Sequence, residues 1–187
     1  MRIGRSLVLF CVLALFAGAL WFYWHLTAHG FSARVKPSAL EAFLAEKARA
    51  LATPSGAKAL KNPLDPTALN VAEARDHFAD HCAICHANTG SGKTLINSGL
   101  YPPAPDLREQ KTQKLSDGET FFIIKNGIRF TGMPGWGGSD EENWKLVLFI
   151  RHLPHLSSQE LASMQEVNGL QEEDREGEAH AENTHTH

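Results

Sequence analysis

The hydrophobic and polar positions divide the chain into one long apolar run and several shorter periodic segments. The apolar run extends from Leu7 to Trp24 without a charged residue. At about 1.5 Å per residue it is just long enough to cross the hydrocarbon core of a membrane. Further on, apolar residues recur every three or four positions, which predicts amphipathic helices. These helices are expected at residues 37–52, 71–85, 116–126 and 139–153. No segment shows the alternation and turn chemistry of a β-sheet, so the predicted fold is all-α.

Two of these helices have clear start and stop residues. Ser116 with Glu119, and Ser139 with Glu142, have the spacing of capping boxes, which satisfy the free N–H groups of a first helical turn. Gly127 ends the first of these helices, because glycine is favoured just after a helix. The second is predicted to stop before Pro154.

The composition and the distribution of charge add boundaries to this picture. The 187 residues carry 18 Lys+Arg and 21 Asp+Glu, a net charge of −3, with 43% hydrophobic residues. This excludes a collagen-like, a wholly disordered or a polytopic membrane protein, and gives no reason to expect a nucleic-acid partner. By segment, the net charge is +2 for residues 1–30, +3 for 31–69, −1 for 70–158 and −7 for 159–187. We interpret these as an anchor, a linker, a domain and an acidic, histidine-containing disordered tail.

The N-terminal run is expected to remain as a transmembrane helix. A cleaved signal peptide is the alternative, because Ala17-Gly18-Ala19 offers small residues for a peptidase. However, the apolar run continues to Trp24, and its aromatic residues suit the far membrane interface. Arg2 and Arg5 place the N-terminus inside, so the remainder is predicted on the exported, periplasmic side. The helix at 37–52 is then interpreted as a spacer, with a docking or interfacial helix as the alternative.

The sequence Cys82-Ala83-Ile84-Cys85-His86 carries the predicted chemistry. On a helical turn the two thiols lie on one side, where they can add to the two vinyl groups of a haem while the imidazole reaches the iron. A dithiol oxidoreductase would need a βαβ pattern, and a zinc site would need further ligands. The remaining cysteine, Cys11, lies in the apolar run. The motif therefore predicts covalently attached haem c, with Cys82 and Cys85 as the attachment residues and His86 as an iron ligand.

The second iron ligand is predicted to be Met133. Of the three methionines, Met1 begins the anchor and Met164 follows the last strongly predicted helix. Met133 lies between Gly132 and Pro134, in a loop that can approach a flat ring closely. Several histidines are weaker alternatives. His77 and His81 share a helix with the attachment cysteines, and His152 and His155 lie at a helix end, where the dipole favours a cation.

The C-x-x-C-H motif, the Gly132-Met133-Pro134 loop and the final amphipathic helix together resemble class I cytochrome c over residues 70–157. The resemblance implies a small all-helical domain wrapped around one haem, with His/Met ligation and a role in electron transfer. It also implies that a proline-rich segment supplies a backbone carbonyl to the proximal histidine. Tyr101-Pro102-Pro103-Ala104-Pro105 is similar to that segment, and Pro102 or Pro103 is expected to be the acceptor.

The sequence therefore predicts a membrane-anchored, monohaem c-type cytochrome. It would carry single electrons between respiratory-type redox proteins, such as those of a membrane complex, and would have no catalytic residues of its own. One alternative is an open-site haem sensor or haem enzyme, in which Met133 leaves the iron; another is a haem-bearing docking subunit of a larger redox complex. The tail at 171–187 is expected to be disordered, since it has almost no apolar residue.

Overall fold

The computed structural model describes residues 2–30 and 32–170. Every regular element in these residues is helical, which confirms the predicted fold class. The chain divides into two units between Val35 and Lys36. The helices are α1 (Arg2–His29), α2 (Ala39–Ala52), α3 (Ser55–Ala59), α4 (Ala68–His77), α5 (Ala83–His86), α6 (Gln110–Gln113), α7 (Asp117–Asn126), α8 (Asp140–His152) and α9 (Ser158–Asn168).

The first unit contains α1. Within this helix, Ser6–Ala28 is long and apolar enough to cross a membrane, with a mean hydropathy of 2.2. Its large apolar side chains are exposed, as those of Leu15 and Phe16 illustrate. Within residues 2–30 and 32–170 this is the one candidate membrane span, and it lies at the predicted position.

The starts and ends of α7 and α8 are those that the sequence predicts. Ser116 and Ser139 each cap the helix that follows, and Glu119 and Glu142 complete the two capping boxes. A third box, formed by Ser38 and Glu41, starts α2.

The predicted helix at 71–85 is interrupted by one wider turn. Residues 68–77 are α-helical, Phe78–Cys82 form a π-helical turn, and the α-helix resumes at Ala83–His86. A π turn inserts one extra residue into the helix and often marks a functional site. We call residues 78–86 the C-x-x-C-H turn.

The core of the second unit lies between α4, the C-x-x-C-H turn and α8. Phe78 and Phe149 are both buried, and their ring centroids are 5.1 Å apart. Phe121 of α7 stacks on Trp144 of α8 at 4.1 Å. The second unit therefore has a packed protein core of its own.

The C-terminal boundary of the domain differs from the prediction. The disordered tail was expected to begin at residue 159, but α9 occupies Ser158–Asn168, and a fourth capping box, Ser157 with Glu160, starts it. Met164 has no exposed surface and belongs to the core. The prediction was wrong for this stretch because one buried side chain and a good cap outweigh its acidic composition. Residues 171–187 lie outside the described residues, so their disorder stays a prediction.

The linker also contacts the domain instead of acting only as a spacer. The Tyr101 hydroxyl lies 3.1 Å from Glu41 Oε1 in α2, and Lys111 pairs with Glu46 of the same helix. The short helix α3 packs on α7, where a Cβ at Gly118 would lie only 1.9 Å from the Ala57 carbonyl oxygen. The second unit therefore includes both helices that precede the predicted domain.

Candidate functional site

A deep cavity of about 350 Å³ opens in the second unit. Ligand and cofactor pockets have volumes of about 300–1,000 Å³. Side chains from α2, the C-x-x-C-H turn, the loop at 100–107, α7, the loop at 128–136 and α8 form its walls, and most of them are aliphatic, aromatic or proline. Such walls suit a large, flat and mainly apolar group.

Cys82 and Cys85 both line this cavity. Neither forms a disulfide bond. Burial raises the pKa of the Cys82 thiol to about 12 and also raises the pKa of the Cys85 thiol. A dithiol oxidoreductase needs a lowered thiol pKa, so the pair lacks the electrostatic environment of that class of site.

His86 closes the C-x-x-C-H turn and also lines the cavity. Burial lowers the pKa of its imidazole, and this is opposed by the nearby Pro105 carbonyl. The ring is therefore neutral at neutral pH, the form that binds metals. Its buried Nδ1 atom has no hydrogen-bond partner within ordinary limits of distance and angle, so the Pro105 contact is looser than a normal hydrogen bond.

The backbone acceptor that acts on His86 differs from the prediction. It is Pro105, rather than Pro102 or Pro103. Two backbone hydrogen bonds order the loop that follows the helix: Gly92 N donates to His86 O at 2.9 Å, and Leu107 N donates to Gly90 O at 2.8 Å. The second of these bonds brings the end of the proline-rich segment, rather than its start, to the imidazole.

Sequence reasoning missed Asn97, which organises this loop. Asn97 is almost fully buried. Its amide Nδ2 donates to the carbonyls of Gly92 and Ala104, and its Oδ1 accepts from the Ala104 N–H at 2.5 Å. Asn97 thereby connects the loop residues that follow His86 to the residues just before Pro105. A single asparagine in a glycine-rich loop gives no sequence pattern that distinguishes it from a surface residue.

Met133 lies on the loop at 128–136, half-buried, and lines the same cavity. Its N–H donates to Thr131 Oγ1 at 3.1 Å, and its carbonyl accepts from Ile128 N–H at 3.1 Å. The loop returns closely to the end of α7, because a Cβ at Gly127 would lie 2.5 Å from the Gly135 nitrogen. Gly127 also has a φ of +70°, which only glycine adopts without strain.

The structure thus brings Cys82, Cys85, His86 and Met133 to one cavity from two segments far apart in the sequence. Two neutral thiols, a neutral imidazole and a thioether are the groups that would attach a haem and ligate its iron. The apolar walls complement the ring. The residues present therefore fit a haem c.

The histidines that the sequence offered as alternative ligands have other surroundings. His81 does line the cavity, but its ring contacts the edge of Trp136 at a centroid distance of 5.6 Å. His77 lines a separate polar pocket together with Glu142 and Lys145. His152 pairs with Glu160 of α9 at 2.8 Å. Over residues 2–30 and 32–170, no three His, Cys, Asp or Glu side chains are grouped so that they could hold a metal ion.

An all-helical domain with a C-x-x-C-H turn and a methionine loop on one apolar cavity defines a class I cytochrome c. Residues 69–150 match the family model described as cytochrome C oxidase, cbb3-type, subunit III. This part of the chain is therefore a monohaem class I cytochrome c domain, similar to that subunit. The match includes the four predicted site residues and leaves out α2, α3 and α9.

No curated protein matches the chain. The family match nevertheless establishes the cofactor and the general activity. The domain binds one covalently attached haem c, and the protein transfers electrons, either as a carrier or as part of an oxidase.

Proposed function

We propose that this protein is a membrane-anchored electron carrier with His/Met-ligated haem c. Cys82 and Cys85 would form the two thioether bonds, and His86 and Met133 would ligate the haem iron. The observation that carries the proposal is the convergence of these four side chains on one apolar cavity.

The surrounding residues have defined tasks in this mechanism. The Pro105 carbonyl faces the His86 imidazole and favours the tautomer in which Nε2 is free to bind iron. Thr131 and Ile128 hold the backbone of Met133 in place. The apolar walls exclude water, so little has to rearrange when an electron arrives. When bound, the haem supplies the one-electron chemistry of its iron.

The substitution Met133→Ala tests the proposed ligation of the iron by Met133. We expect it to abolish the iron–thioether absorption band of the oxidised protein, to lower the midpoint potential and to allow the ferrous protein to bind carbon monoxide. Met164→Ala is the matched control, because Met164 is buried in the protein core and does not line the cavity. It should leave the band and the gas binding unchanged.

Rapid binding of carbon monoxide to the wild-type ferrous protein, with spectra unaffected by Met133→Ala, would contradict the ligand assignment. It would favour the open-site sensor or enzyme instead. The attachment residues are tested separately: wild-type protein should keep its haem in denaturant, and Cys82→Ala with Cys85→Ala should release it, because only thioether bonds survive unfolding.

The proposed anchor is α1, with the haem domain on the exported side. The support is the length and hydropathy of Ser6–Ala28 together with Arg2 and Arg5 before it. Protein in native membranes should resist a high-salt wash, because salt does not screen apolar burial. N-terminal sequencing that starts after Ala19 would show cleavage and contradict the anchor.

The proposed partners are redox proteins of a membrane respiratory complex. The support is the matched family, whose description names a cbb3-type oxidase subunit. Gentle purification from native membranes should recover the protein together with a membrane-bound oxidase that reoxidises its haem. Rapid oxidation in membranes that lack such an oxidase would contradict this assignment.

A further inference from the structure

Helix α2 brings an arginine to the haem cavity from outside the matched cytochrome domain. Arg49 is half-buried and lines the cavity, although the family match begins only at residue 69. No other lysine or arginine is among the described residues that line this cavity. Arg49 is therefore the permanent positive charge of the site.

Three contacts hold α2 in the position that presents this side chain. Tyr101 is hydrogen-bonded to Glu41, Lys111 pairs with Glu46, and Lys58 Nζ donates to the Ala50 carbonyl at 2.6 Å. The contacts lie near the first turn, the middle and the last turn of the helix. They fix both its position and its rotation about its axis.

Helix α2 turns its charged face, and not its apolar face, toward the rest of the second unit. The half-buried positions are Ala42, Glu46 and Arg49, spaced four and three residues apart on one face. The large apolar residues Leu40 and Phe43 are mostly exposed. A face of α2 with one small and two charged residues thus lies toward the rest of the second unit, where Glu46 pairs with Lys111.

No hydrogen bond or ion pair of the Arg49 guanidinium is found within the described residues. Its charge helps to lower the pKa of Glu46 on the same helix, but the main partner of Glu46 is Lys111. Because Glu46 is shared with Lys111, a second carboxylate beside the half-buried guanidinium would be favourable. Haem c carries two carboxylates, on the pyrrole rings that bear no thioether. Arginine is well suited to this role, since its planar fork can pair with both oxygens of a carboxylate.

We propose that Arg49 binds a haem carboxylate, and that α2 is an accessory cofactor-binding helix which raises the redox potential of the domain. This inference rests on the proposed function, because it requires haem in the cavity. A cation near the haem destabilises the ferric state, which carries one more positive charge than the ferrous state. The ion pair also keeps the carboxylate ionised in apolar surroundings.

The other charged and titratable groups around this position are few. Among the residues lining the cavity they are His81, His86 and the two cysteines, and on α2 the nearest acid is Glu46, which pairs with Lys111. His81 is exposed, and the cysteines and His86 are committed to the haem in the proposed function. Arg49 is thus the group whose removal should change the environment of the carboxylate.

The test is Arg49→Gln in the full-length, haem-loaded protein, measured by a spectroscopic redox titration. We expect the midpoint potential to fall. The potential should also begin to vary with pH at a higher pH than in the wild type, because the carboxylate loses the cation that lowers its pKa. Arg49→Lys should restore much of the potential, since it restores the charge.

Lys47→Gln is the matched control. It removes the same charge from the same helix, but Lys47 is exposed and lies over the Phe43 ring, outside the cavity. Its distance and the solvent should screen its effect on the haem. An equal fall in potential for Lys47→Gln and Arg49→Gln would overturn the proposal, because the effect would then be one of overall charge.

The role of α2 itself can be tested without changing a charge. Tyr101→Phe removes the hydrogen bond to Glu41 and loosens the helix, so it should lower the potential of the wild type. The same substitution in Arg49→Gln should have almost no effect, because the charge that α2 delivers is already gone. If the two substitutions lower the midpoint potential additively, the inference that α2 positions Arg49 at the haem is wrong.

The outcome is distinguishable from a failure of the proposed function. All variants should retain haem in denaturant and the iron–thioether band of the oxidised protein, as both depend on Cys82, Cys85, His86 and Met133. An unchanged potential in Arg49→Gln with an intact band would refute the role of Arg49 alone. Loss of the band in the wild type would refute the ligand set.

Discussion

The burial of Met164 predicts a large and specific loss of stability in Met164→Ala. This side chain has no exposed surface, and the substitution removes all of it beyond Cβ. Lost burial costs about 2 kcal/mol. At about 24 cal/mol per Å³, an unfilled space of about 40 Å³ adds about 1 kcal/mol. The free energy of unfolding should therefore fall by about 3 kcal/mol, roughly a hundredfold in the folding equilibrium.

The assay is a guanidinium titration of the oxidised, haem-loaded protein, followed by the helical circular dichroism signal. Val167→Ala is the control on the same helix, because Val167 is 45% exposed and should cost no more than about 0.5 kcal/mol. Equal midpoints for the two variants would show that α9 does not pack on the core in solution. Loss of the iron–thioether band in Met164→Ala would refute its purely structural role.

Two further predictions concern the edges of the domain. Gly118→Ala should lower the free energy of unfolding by about 1–3 kcal/mol in a denaturant titration, because its Cβ would clash with the Ala57 carbonyl. Gly99→Ala is the control and should be nearly neutral, because the space around Gly99 is open. Equal costs for the two variants would contradict the packing of α3 on α7. Burial raises the pKa of Glu160, but hydrogen bonds from Ser157 outweigh this and hold the pKa below the ordinary 4.5. The ionised Glu160 therefore stabilises the fold above that pH, and this stabilisation is lost as the pH falls and the carboxylate is protonated. The stability difference between wild type and Glu160→Gln in urea titrations should therefore shrink below about pH 4.5, and a difference that grows there would contradict the sign.

The sequence was most informative where a local rule fixes the structure. The capping boxes at Ser116 and Ser139 predict the starts of α7 and α8, because the cap acts within one helical turn. The C-x-x-C-H motif and the Gly132-Met133-Pro134 loop predicted side chains that share one cavity. Their chemistry needs those residue types, so the pattern is specific even without a fold.

Long-range contacts explain what the sequence did not reveal. The box at Ser157 and Glu160 has the same local pattern as the two that were recognised, but the acidic segment around it has no strong apolar stripe. The burial of Met164 and long-range contacts such as that of Asn168 with Ala79 make the helix part of the domain. The acceptor at Pro105 and the position of Arg49 likewise depend on how loops and helices meet in space.

The C-x-x-C-H turn shows how an element outside the family match supports the site within it. A π turn widens the helix and departs from the regular pattern of backbone hydrogen bonds. Asn168, the last residue of α9, donates from Nδ2 to the Ala79 carbonyl of this turn at 2.9 Å and to Asn88 Oδ1 at 2.7 Å. This hydrogen bond joins α9 directly to the C-x-x-C-H turn. Because Ala79 precedes Cys82 by less than one helical turn, this contact places the end of α9 beside the attachment residues.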